Sequence, residues 1–66
     1  MAISMKMARV GANLTQQQVA DEMGIHVQTY AKMENDSENV TIREAKQFGR
    51  IVGMDWKEIF FGSDSN

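Results

Sequence analysis

The chain has no cysteine, no proline and a single histidine among its 66 residues, and aromatic side chains make up only 8% of it. Without cysteine there is no disulfide to staple the fold, no thiolate zinc site and no cysteine nucleophile, and the default compartment is a reducing one. No apolar run approaches the roughly 20 residues that cross a bilayer, and the amino end lacks a basic stretch leading into an apolar signal core, so a cytoplasmic location is expected. Catalytic constellations are missing too. One histidine and scattered carboxylates give no zinc-ligand spacing, neither GxGxxG nor GxxxxGK[ST] is present to hold a nucleotide, and Ser37 and the serines of the tail stand far from any base partner in the chain. These absences argue against an enzyme, and no cofactor, metal or small-molecule ligand is expected.

What is present describes one small domain, with 42% apolar and 24% charged residues. A chain this short buries only about 60% of the surface its unfolded form exposes, so a core of about a dozen side chains must carry the fold. The net charge of −2 speaks mildly against a polyanionic partner, but the charge is unevenly spread. Residues 1–20 and 39–54 each carry +2, whereas 21–38 carry −4 and 55–66 carry −2. A folded chain can therefore still present a basic face.

Neither repeats nor strand-like alternation occur, and helical spacing recurs throughout, which predicts an all-α fold. The first helix is expected over residues 3–12, with Ile3, Met7 and Val10 as its inner stripe and Gly11 and Asn13 at its end. Thr15 caps a second helix, Gln16–Met23, whose Val19, Ala20 and Met23 face inward and which closes at Gly24. A third, Val27–Asn35, sets Tyr30 and Met33 on one side and Gln28, Thr29 and Lys32 on the other. Thr41 with Glu44 makes a capping box for a fourth helix, in which Ile42, Ala45, Phe48, Ile51 and Val52 take core spacing and Gly53 is the left-handed cap. Gly49 in its middle implies close approach by a neighbouring helix. Asp55 with Glu58 repeats the capping-box spacing before a last short helix containing Trp56, Ile59 and Phe60. The domain is expected to occupy 1–61, with 62–66 as a tail.

The strongest signal is residues 16–34, two short helices joined by a tight turn at Gly24, Ile25 and His26. Small Ala20 suits a close helix crossing, and Ile25, Tyr30 and Met33 fill the wedge between the helices. With LTQQQVADEMGI, TYAKMEN and IREAKQFGRIVGMDWKEIF, the chain resembles the Cro/CI-type, or XRE, helix-turn-helix family of phage repressors and small bacterial regulators over residues 6–61. The resemblance implies five short helices in a lambda-repressor-like domain that binds double-stranded DNA, with the third helix in the major groove.

The resemblance also assigns roles. Val27, Gln28 and Lys32 match base-facing positions, where valine meets a thymine methyl, glutamine pairs with adenine and lysine donates to guanine. Gln16 and Gln17 match phosphate-binding and bracing positions at the start of the second helix, and Thr29, Asn35 and Arg43 match sugar-phosphate contacts. His26 stands where a phosphate or a base edge is within reach. Arg9 and Glu34 match a partly buried ion pair that ties the first helix to the end of the third. Phe60 and Phe61 together are hard to bury in so small a domain, and one of them is a candidate dimer contact.

Two positions depart from the family pattern. Asp36 stands where a glycine is common, and aspartate tolerates the left-handed conformation such a site uses. Val40 stands where a proline is common. The acidic stretch Asp36, Ser37, Glu38 implies weaker phosphate anchoring there. The expected function is a Cro-like repressor from a phage or mobile element, occupying a near-palindromic operator as a homodimer. An antitoxin or restriction-modification controller of the same family is an alternative. A third reading, in line with the negative charge, is a protein-interaction module such as an anti-repressor.

Overall fold

Each helix begins where a side chain takes up an amide that the first turn leaves without an intrahelical partner. A computed structural model describes residues 3–60. In it α1 (Met5–Gly11) starts behind Ser4, whose hydroxyl accepts the Met7 N–H. α2 (Gln16–Met23) starts behind Thr15, and Gln18 returns the bond by accepting the Thr15 N–H, a capping box written in the sequence as T-x-x-Q. α3 (Val27–Asn35) starts behind His26. α4 (Ile42–Val52) has the Thr41 and Glu44 capping box its sequence predicts. α5 (Trp56–Phe60) departs from the expected box. Asp55 Oδ1 accepts the Lys57 N–H, while the Glu58 N–H bonds the Asp55 carbonyl.

α2 and α4 end at Gly24 and Gly53, whose φ values of 72° and 76° lie in the left-handed region that a Cβ disfavours. A 3-10 turn, Ser37–Asn39, links α3 to α4, and the described residues contain no strand. α2 packs against α3 and α4, α4 against α5, and α5 against α1, which closes the helices around one core. Tyr30 and Phe48, both fully buried, lie at its centre with their rings 6.1 Å apart, and Phe60 meets Phe48 edge-on at 6.3 Å. Met5, Ala8, Val19, Ala20, Met23 and Met33 complete the buried cluster with Ile59.

Three further expectations are corrected. α1 spans Met5–Gly11, and its buried residues are Met5 and Ala8, while Met7 and Val10 remain 54% and 55% exposed. The reason is Arg9, one turn after Met5, which is drawn inward to Glu34 and rotates Met7 and Val10 toward solvent. Ile42, expected in the core, is 51% exposed because it lies one turn ahead of Ala45 on the same face, where the core has ended. Asp36 has φ −143° and ψ 66°, so α3 does not end in a left-handed residue. Its amide bonds the Lys32 carbonyl, and its carboxylate accepts from the Asn39 side chain to hold the 3-10 turn.

Gly49 sits against the turn that leads into α5. A Cβ added there meets the Met54 carbonyl oxygen at 2.8 Å and the Trp56 Cβ at 3.0 Å, neither of which is a flexible side-chain end. Gly49→Ala should therefore destabilise the domain by about 1–3 kcal/mol despite the better helix propensity of alanine. Chemical denaturation of the two proteins checks this, and an alanine variant as stable as the parent would mean that α5 does not pack as described.

Candidate nucleic-acid interface

The residues that open α3 are positioned by a rigid turn. Ala20 is fully buried where α2 meets α3, the Ile25 N–H bonds the Ala20 carbonyl at 3.0 Å, and the Tyr30 N–H bonds the His26 carbonyl at 3.0 Å. Ile25 packs against the core from the turn. The path from α2 into α3 is thus fixed by a left-handed glycine, a helix-closing bond and one buried apolar side chain.

The other end of α3 is held by Glu34. Its carboxylate accepts from Arg9 Nε at 2.6 Å, from the Tyr30 hydroxyl at 2.7 Å and from Gln16 Nε2 at 3.0 Å. Arg9 also donates to the Leu14 carbonyl at 2.9 Å, so the guanidinium secures the loop between α1 and α2. The side chains of Arg9 and Glu34 are only 12% and 6% exposed. Burial acts to raise the Glu34 carboxyl, but the bonds from Arg9, Tyr30 and Gln16 outweigh it and hold the group below its ordinary value. The bond to Glu34 pushes the Arg9 guanidinium up despite burial, and burial together with the Glu34 bond pushes the Tyr30 phenol well above its ordinary range. All three partners donate, so an acceptor-only carboxylate is the side chain that satisfies them.

With its inner residues committed, α3 turns Gln28, Thr29, Lys32 and Asn35 outward, all exposed. Val27 is half-buried and packs against the core, which leaves only part of its surface open. His26 is exposed, and its Nδ1 accepts the Gln28 N–H at 3.2 Å. Gln16 is half-buried through its bond to Glu34, whereas Gln17 is exposed and donates to Asp21 Oδ1 at 2.9 Å. Arg43 is exposed in the first turn of α4, beyond the 3-10 turn that follows α3. Phe60 is half-buried against Phe48, and Phe61 lies outside the described residues.

A family model described as Helix-turn-helix matches residues 5–59, most of the chain and all five α-helices up to Ile59. The chain belongs to the Cro/CI-type, or XRE, helix-turn-helix family. No curated protein and no solved structure matches it. As an XRE-family member it is a DNA-binding transcription regulator, and its partner is double-stranded DNA. Among the described residues no helix is long and apolar enough to cross a membrane.

Two parts of the XRE domain were hidden in the sequence. Tyr30, read as core, also donates its hydroxyl to Glu34, four residues on, and Gln16 joins the same carboxylate from α2. The spacing of Tyr30 and Glu34 permits the first bond, but only the crossing of α2 and α3 brings in the second. Glu34→Gln should cost about 2–3 kcal/mol of stability near neutral pH, because an amide offers one oxygen and faces the remaining donors with its own N–H. Since the folded carboxyl lies below its ordinary value of 4.5, its stabilisation is fully present above that pH and is lost as pH falls through the folded value. The parent should therefore lose more stability than the variant on acidification below about pH 4.5, as read from denaturation midpoints across pH. Parallel pH profiles would contradict the assignment.

Proposed function

We propose that the chain is a small Cro-like repressor of a phage or mobile element that blocks transcription by occupying a near-palindromic operator as a homodimer. The observation that carries this reading is the division of α3. Its Tyr30 and Glu34 are consumed by the fold, while Gln28, Thr29, Lys32 and Asn35 are left exposed as an open polar face. A buried inner face with an uncommitted outer one is what a helix inserted in a major groove requires.

In this reading Gln28 and Lys32 read base edges, glutamine favouring adenine and lysine guanine, and the open part of Val27 meets a thymine methyl. Gln16 spends one N–H on Glu34 and keeps a second for a phosphate. Gln17, Thr29, Asn35 and Arg43 bind the sugar-phosphate backbone and set the register. Dimerisation follows from economy of information, since one module reads too few base pairs and two recognition helices about 34 Å apart read successive major grooves. In this reading the partner copy packs on the groove bordered by Ser37, Glu38, Val40, Ile42, Trp56 and Phe60, where Ile42 is half exposed in the single chain.

Selection from a randomised duplex pool at two salt concentrations tests the function. A palindromic consensus whose affinity falls steeply with salt is expected, and a folded protein that enriches no sequence would overturn the reading. On the selected duplex, Gln28→Ala should cost about 1–3 kcal/mol and relax preference at one or two positions, whereas Arg43→Ala should weaken all sequences alike. Binding titrations with single-base operator variants separate these two patterns, and equal losses on every sequence from Gln28→Ala would remove it from base readout.

A further inference from the structure

α3 begins differently from α1, α2 and α4. Ser4, Thr15 and Thr41 open α1, α2 and α4 with hydroxyl caps, and the latter two are closed reciprocally by Gln18 and Glu44. α3 opens on an imidazole. As in α1, its first turn contains no acidic residue and has one side-chain cap bond, here from the Gln28 N–H to His26 Nδ1 at 3.2 Å. His26 has φ −71° and ψ 145°, the extended backbone of a capping residue, and its carbonyl accepts the first helical bond from Tyr30.

We propose that His26 is a positioning residue of the recognition helix, acting through this cap on Gln28 and not as a contact to DNA. The inference rests on the operator-reading function above and replaces the direct phosphate or base contact that family resemblance assigns to His26. The amide that His26 holds belongs to the residue proposed to read bases. Nδ1 accepts the Gln28 N–H, so the ring lies against the backbone of its own helix. Helix ends without such a partner fray, and fraying here spreads Gln28 over several orientations that binding must then collapse. Glu34 secures the far end of α3, and at its first turn the cap adds to the packing of Val27 against the core.

The test compares His26→Ala with His26→Asn, which removes the imidazole but keeps a capping acceptor. Affinities are measured on the duplex selected by the parent and on a scrambled duplex of equal length, and Gln28 amide exchange is followed by NMR in the free protein. His26→Ala should lose about fivefold in affinity for the selected duplex and much less on the scrambled one, and His26→Asn should return to within about twofold of the parent. Gln28 exchange should quicken in His26→Ala and recover in His26→Asn. An asparagine variant as weak as the alanine variant would show that the imidazole touches DNA and would overturn the proposal. So would an alanine variant that binds like the parent, or one whose Gln28 exchange is unchanged. Failure of the parent to select any duplex would instead overturn the operator reading, and the proposed link between cap and recognition with it, while the exchange data would report on the cap itself.

Discussion

The carboxylate of Glu34 gathers three donors from three helices, Arg9 on α1, Gln16 on α2 and Tyr30 on its own α3. That convergence sets how the far end of α3 is held against α1 and α2. A chain of this size has too small a core to fix the angle of a nine-residue helix by apolar packing alone, because apolar contacts tolerate sliding and rotation. Directional bonds to one acceptor do not. The net stability from such a buried pair is small, since both ions are desolvated, and its main product is orientation. That orientation directs Gln28, Thr29 and Lys32 away from the core.

The same arrangement takes one acid and one base of an acidic chain out of contact with a polyanion. Glu34 contributes formal charge but is paired with Arg9 inside the fold, whereas Asp36 only accepts from the neutral Asn39 amide and keeps its charge. Asp21 accepts from the neutral Gln17 amide and likewise keeps its charge. Lys32 and Arg43 meanwhile stand exposed in α3 and early in α4. The sign of a small local field, set by which charges are paired and which are open, matters more to a polyanion within a Debye length than the total over 66 residues.

Much of this was legible in the sequence. The caps at Thr15 and Thr41, the left-handed glycines at 24 and 53, the buried Val19, Ala20, Tyr30 and Phe48, and the close approach at Gly49 all follow from local rules, since each depends on residues within a turn or two. α1 was misread because seven residues make two turns, and the larger Met7 and Val10 outweighed the small Ala8 that sits inside. Its true phase is set by Arg9 reaching a residue 25 positions away, which no local pattern contains. Family resemblance supplied that pair. Tyr30 and Gln16 escaped notice as Glu34 partners because a core aromatic and a surface amide look complete without each other. The outward residues of α3 read as polar in both sequence and structure, and polarity alone does not separate a reading face from a solvated one.

The central claim is that the outer face of α3, with the start of α2 and the first turn of α4, is the surface that meets DNA. Mapping backbone amide shifts of the isotope-labelled protein by NMR, as duplex DNA is titrated in, tests it directly. The account predicts that the largest shifts cluster at residues 16–17, 26–32 and 41–43, with the exposed face of α1 at Met7 and Val10 unmoved. Shifts centred on α1, or spread without preference over the domain, would contradict it.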